Sequence, residues 1–274
     1  MRFFNSIAAL LLFFLSCQMA NARVREADQK VVSGIVLLNS KTSPDPKGIL
    51  NALKKDWKLN FDSANVADKT IVFTTSSATV MIAFLDYPVP PAEIRTAAGL
   101  SWLWRGANDE ALKHQSQMVV SVIGTTAKVL DLYKIFTKVT ACVLEHSESS
   151  GFYMSGQYLL LSRDFYISAA RNMRDHQTIP LYCWVYFGMI AEKDVASGYT
   201  YGMQEFGCKE MEIAEAKLKV QEVHAVLYDA AMTILQYNLK LEDGKEFTTL
   251  EGQKLTPVLS KAAFQEGETF KFKF

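Results

Sequence analysis

Hydrophobic positions change period several times along this chain, and each change predicts an element. Residues 31–38, VVSGIVLL, are β-branched and apolar, as a buried strand requires. After the break at Pro44-Asp45-Pro46, residues 48–57 place Ile49, Leu50, Leu53 and Trp57 at helical spacing. Residues 70–75 and 79–85 read as two strands flanking Ser76-Ser77-Ala78, a hairpin signal. Pro88, Pro90 and Pro91 end the second of these, and Pro91 suits the first position of a helix carrying Ile94, Ala97 and Ala98 and leading to Trp102 and Trp104. A short helix after Asn108-Asp109 leads to a strand over 118–123.

The clearest helical period follows Gly124, over residues 127–145, with Val129, Leu132, Tyr133, Phe136, Val139 and Val143 on one face. Beyond it the same order is expected to start again. A strand is expected at 152–154, a helix at 163–173, aromatic-rich strands at 181–190 and 199–206, and a long amphipathic helix at 217–235. Short strands at 238–241, 246–250 and 270–274 complete the reading. The fold class is therefore α+β, a mixed or antiparallel sheet with helices. Two strand-helix-strand-strand-helix-strand units suggest two ferredoxin-like halves, 31–124 and 150–274, within one domain over 23–274. The alternative is a single α+β domain whose elements merely alternate.

The N-terminal segment has a different character. Arg2, an apolar run from Ile7 to Leu15 and the small-x-small triplet Ala20-Asn21-Ala22 make a signal peptide over 1–22, with cleavage between Ala22 and Arg23. A membrane helix needs about 20 apolar residues, more than this run offers. The alternative, lipid attachment at Cys17, is opposed by Phe14 three residues before it. The mature chain is expected in the periplasm of a Gram-negative bacterium or secreted, with no membrane span. Cleavage leaves Cys142, Cys183 and Cys208, so an oxidising compartment allows one disulfide. If 181–190 and 199–206 pair about the midpoint between Val195 and Ala196, Cys183 faces Cys208 and Cys142 stays a buried thiol.

Composition narrows the chemistry. The 274 residues are 49% apolar and 12% aromatic, and 29 basic side chains balance 29 acidic ones, so no global field attracts nucleic acid or anionic lipid. No Gly-x-Ser-x-Gly, Ser-x-x-Lys, His-Glu-x-x-His, Cys-x-x-Cys or phosphate-binding loop occurs, and no cofactor or metal is expected. Glu145-His146-x-Glu148 is below a zinc ligand count and sits at a helix end, where histidine is favourable without any function. His114, just before a strand, is the best single candidate for a pocket residue, because histidine titrates near neutrality.

Aromatic concentration is the unusual feature: Tyr182, Trp184, Tyr186, Tyr199, Tyr201 and Phe206, interleaved with Gly188, Gly198, Gly202 and Gly207. Alternation sets Tyr182, Trp184 and Tyr186 on one strand face. Such aromatics are either core or a docking face, and Tyr199 and Tyr201 are the residues that decide between the two. The glycines mark either bulges or the floor of a groove.

Several segments in order resemble a bacterial family described as domain of unknown function 4261. They are Ala83-Phe84-Leu85 with Pro88-Val89-Pro90, Trp102, His114 before Val119-Val120-Ser121-Val122, and Gly151-Phe152-Tyr153-Met154-Ser155-Gly156. Pro180-Leu181, Trp184-Val185-Tyr186-Phe187-Gly188, Ser197-Gly198-Tyr199-Thr200-Tyr201-Gly202-Met203 and Phe206-Gly207 follow. The resemblance implies no activity and no catalytic residue, and the signal peptide departs from the many members that read as cytosolic. Two functions remain open. One is an exported, non-catalytic binding protein of the envelope with a protein or small-molecule partner, an immunity-type protein being one form. The other is an enzyme with a dispersed site that joins His114 to carboxylates.

Overall fold

The computed structural model describes residues 29–124 and 128–274. The segment read as a signal peptide, with Cys17 and the bond between Ala22 and Arg23, lies outside the described residues, as does Ala127.

Local chemistry sets the first elements. Strand β1 (Lys30–Leu38) ends before helix α1 (Pro46–Lys55), and the Pro44-Asp45-Pro46 break is the helix cap. The Asp45 carboxylate accepts from Lys47 N at 3.1 Å and Gly48 N at 3.0 Å, with Pro46 at a position that has no donor to satisfy. Strands β2 (Ala64–Ala67), β3 (Thr70–Thr74) and β4 (Thr79–Leu85) form a meander. Helices α2 (Pro91–Leu100) and α3 (Ala107–Glu110) lead to β5 (Ser116–Gly124), and α4 (Val129–Glu145) to β6 (Ser149–Met154) and β7 (Leu159–Ser162).

These seven strands make one antiparallel sheet, in the order β2-β3-β4-β5-β1-β6-β7. Its alternation sends Val36, Val80, Ile82, Val120 and Val122 into a core shared with α1, α4 and α5 (Arg163–His176). Leu37, Tyr153 and Leu160, on the other face, pack against Ile94, Ala97 and Trp104 from α2 and the loop after it.

A second, mixed sheet combines β8 (Tyr186–Ala191), β9 (Ala196–Tyr201), β10 (Met211–Ala216), β13 (Val258–Lys261) and β14 (Glu268–Lys271), in the order β13-β14-β10-β9-β8. Helix α6 (Val220–Tyr237) covers one face, and β11 (Phe247–Thr248) pairs with β12 (Lys254–Leu255) apart from it. Helix α4 joins the two parts. It packs on β1 and β5, while its Thr137 Oγ1 accepts from Nε1 of fully buried Trp184 at 2.8 Å and its Tyr133 ring meets Phe206 at 4.6 Å.

The α+β class is observed, and the ferredoxin-like halves are not. A ferredoxin-like unit holds its first strand between the third and fourth. Here β5 stands between β4 and β1, because α2 and α3 return the chain to an antiparallel neighbour instead of crossing over the sheet. A division at residue 150 would also cut β6, which together with β7 completes the first sheet. Residues 238–241 form no strand: Asn238 (φ 50°) ends α6 in the left-handed conformation, its N–H on Ile234 O.

The aromatic hairpin is shifted from the expected register. Tyr182 lies in a 3-10 turn, Leu181–Cys183, and Trp184 follows it before β8 begins. Tyr186 pairs with Tyr201 and Ala191 with Ala196, because the connection is only Glu192 to Val195, closed by Glu192 N on Val195 O. Continued, this register carries Cys183 toward Gln204 rather than Cys208. Both cysteines are free thiols, so the expected disulfide is corrected, and Cys142 is buried and free as expected.

Candidate functional site

The register of β8 and β9 places Tyr186, Gly188, Tyr199 and Tyr201 on the sheet face turned away from α6. A Cβ on Gly198, which faces α6, would lie 2.8 Å from Val223 Cγ1 and 2.9 Å from Leu227 Cδ1, so that glycine admits the helix. Gly188 admits a ring. A Cβ there would sit 2.2 Å from Tyr199 Cζ, so the Tyr199 side chain crosses the neighbouring strand over bare backbone. Gly202 has φ +117° and starts the 3-10 turn Met203–Phe206, a conformation that L side chains rarely adopt. The glycines are thus architectural, and the groove floor expected as their alternative is filled by Tyr199.

What remains open is a tyrosine surface. Tyr199 stacks on Phe264 at 5.6 Å and meets Tyr186 edge-on at 6.1 Å. Tyr201 packs at 4.7 Å against Tyr158, which also lies 6.5 Å from Tyr186. Tyr158 comes from the turn between β6 and β7, so the face joins both sheets. Its backbone is left-handed (φ 54°, ψ 26°) and the residue is 44% exposed. Burial, reinforced by the nearby Tyr199, pushes the Tyr186 hydroxyl up to about 12. Burial raises Tyr199 and Tyr201 as well, so all three are neutral donors and acceptors at physiological pH.

Two carboxylates missed by sequence reasoning hold this face. Glu212, fully buried beside Tyr199 in the register of β10 and β9, accepts from Ala263 N at 2.9 Å and Phe264 N at 3.3 Å. It thereby fixes the loop whose Phe264 covers Tyr199, and Lys271 Nζ stands 3.8 Å away. Buried Glu210 accepts from Thr200 Oγ1 at 2.7 Å, Gly202 N at 2.8 Å and Gln204 N at 3.2 Å, tying down the turn after Tyr201. Burial raises its pKa against the pull of these donors. The only sequence signal was an acid on either side of Met211, which reads equally well as a solvated strand.

His114 is elsewhere. It is 5% exposed, its Nε2 accepts from Val89 N at 2.8 Å, and its Nδ1 lies 2.6 Å from Ala111 O, to which it donates. Both nitrogens of a neutral ring are spent on backbone, and burial lowers its pKa. The structure therefore does not bring His114 together with Tyr199 and Tyr201. Glu145 is taken by Trp57 Nε1 at 3.0 Å and Arg171 at 2.8 Å, while His146 Nδ1 lies 3.0 Å from Cys142 O. Among the described residues, no group of three His, Cys, Asp or Glu side chains is placed to hold a metal ion, and no helix is long and apolar enough to cross a membrane.

No curated protein and no solved structure matches the chain. Over residues 199–273, the segment that carries Tyr199, Tyr201, both buried carboxylates and Phe264, the chain matches the family model described as Domain of unknown function (DUF4261), the family its motifs resemble.

Proposed function

We propose that this is an exported, non-catalytic binding protein of the bacterial envelope, and that the tyrosine face is where it docks on a partner protein. Tyr158 carries the proposal. A left-handed backbone costs an L-residue with a Cβ about 1–2 kcal/mol, and glycine or asparagine closes such a turn more cheaply. Here the position holds a large aromatic that stays exposed while its ring packs on Tyr201. Lys58, Lys69, Gln177 and Glu215 share this conformation at other turns, and what sets Tyr158 apart is that it presents a tyrosine beside Tyr186 and Tyr201, the side-chain type that dominates interface energies. The support for export is the pattern of charge, apolar run and small residues over 1–22, and an immunity-type role is one form such a protein takes.

The test compares Tyr158→Gly with the unmodified protein as bait in periplasmic extract, with thermal melting alongside. The variant should melt within a few degrees of the unmodified protein, since relieved strain offsets the lost contacts with Tyr201 and Tyr186, while losing about 2 kcal/mol of partner affinity, close to thirtyfold. Undiminished capture by the variant would remove the face from consideration. Edman sequencing of the periplasmic protein should begin at Arg23, and Met1 recovered from cytosol would end the export reading.

A further inference from the structure

A polar cleft lies at the far end of the first sheet, and it shares no residue with the tyrosine face. Strand β1 runs out at Leu38, β6 starts at Ser149, and β7 passes through Ser162 into α5. Asn39 N still reaches Glu148 O at 2.8 Å, so the strand ends are held side by side. The turn after α3 forms the opposite wall. The space between measures about 540 Å³, within the range of small-molecule sites.

Its charges come in matched pairs: Glu110 and Lys113 on one wall, Arg163 and Asp164 on the other. Two of them are held in place. Arg163 donates from Nε to Leu144 O at 3.1 Å and from Nη1 to Asp164 Oδ1 at 3.0 Å, and its Nη2 makes no bond among the described residues. Glu110 accepts from Trp104 Nε1 at 3.2 Å on one oxygen. Its other oxygen occupies the space that a Cβ on Gly106 would need, 2.3 Å away, so Gly106 leaves room for the carboxylate. Lys113 Nζ has no hydrogen-bond or ion-pair partner among the described residues, and the Asp164 side chain is 91% exposed. Serine hydroxyls and side-chain amides line the space between.

We infer that this cleft binds a small zwitterion, a free α-amino acid or dipeptide. The ligand carboxylate would lie against Lys113 Nζ and the free edge of Arg163, and its ammonium against Glu110. A simple anion would face two carboxylates and a simple cation two cationic side chains, so each meets one like charge on either wall. A molecule carrying both charges meets Lys113, Arg163 and Glu110 each with the opposite charge, while Asp164 stays paired with Arg163 at 3.0 Å. Mixed-sign lining of this kind selects by charge arrangement rather than by apolar burial, which an open cleft provides poorly.

The test is calorimetric titration of the full chain with each of the twenty amino acids and their dipeptides with alanine. The best binder is then repeated as its N-acetyl and C-amide forms, with inorganic phosphate in parallel. Blocking either end should weaken binding about tenfold or more, and so should Lys113→Ala, whose exposed side chain leaves the fold alone. Glu110→Gln should weaken the free ligand about tenfold while leaving the N-acetyl form unchanged, a split that mere structural damage would not produce. No binding by any member of the panel at about 10 mM, or equal binding of the blocked forms, would overturn the inference. Tight binding of phosphate abolished by Lys113→Ala would replace it with an anion site.

Discussion

Replacing Gly188 by alanine tests the tyrosine face at its foundation. The new Cβ would meet Tyr199 at 2.2 Å from Cζ, 2.3 Å from Cε1 and 2.7 Å from Oη, while Phe264 stacks on the same ring at 5.6 Å. The ring must therefore tilt and give up that stack. Overpacking costs about 1–3 kcal/mol, and three contacts this short put it at the upper end, about 2.5–3 kcal/mol; less the 0.5–1 kcal/mol that alanine gains over glycine in a strand, Gly188→Ala should lose about 2 kcal/mol. Deleting a fully buried aromatic costs about 3–5 kcal/mol, so Tyr199→Ala, half-buried, should lose about 2 kcal/mol. Independent effects would make the double variant about 4 kcal/mol less stable. With the ring gone, however, the added methyl has nothing to strike and contributes only its strand advantage. The double variant should then lose about 1–1.5 kcal/mol, a coupling of about 2.5–3 kcal/mol. Urea unfolding of the four proteins at one pH, with m-values compared to confirm a two-state transition, measures the cycle. Additivity within about 0.5 kcal/mol would mean that the Tyr199 ring does not lie over Gly188 in solution.

Protonation should act at His114. Its folded pKa is lowered by burial, so the unfolded chain binds the proton more readily, and this part of the stability is present above the ordinary histidine range and lost as pH falls through it and below. Urea unfolding across that range should show an acid limb that His114→Ala flattens, with the variant already about 2–4 kcal/mol weaker near pH 8 because Val89 N and Ala111 O lose their partner. Burial lowers His224 too, so His224→Gln is the control that assigns the limb. Glu212→Ala should free the loop at 262–265. We expect faster hydrogen exchange at the Ala263 and Phe264 amides and a loss of about 3 kcal/mol, with exchange in β1 unchanged apart from the global loss. Protected Ala263 and Phe264 amides in that variant would show that the loop is held by something else.

Periodicity was enough for elements that bury one face by themselves. The run at 31–38, the hairpin at 70–85 and the helix ending at Glu145 all appear within a residue or two of their pattern, because alternation and the 3.6 period are properties of the local chain. Periodicity misplaced the aromatic hairpin. Residues 181–184 alternate like a strand, yet the chain turns there because Trp184 is drawn to Thr137, 47 positions away. Strand order was out of reach for the same reason: β5 lies beside both β1 and β4 through contacts that no window of sequence contains. The site was half legible. Tyr199 and Tyr201 stood out by residue type and shared a face by the period of two. Tyr158 and Phe264 join them only through the fold, and Glu210 and Glu212 count as core residues only because backbone N–H groups, up to 52 positions away, come to meet them. A carboxylate is buried when enough donors converge on it, and that convergence is decided by tertiary structure, never by the residue's own neighbours in sequence.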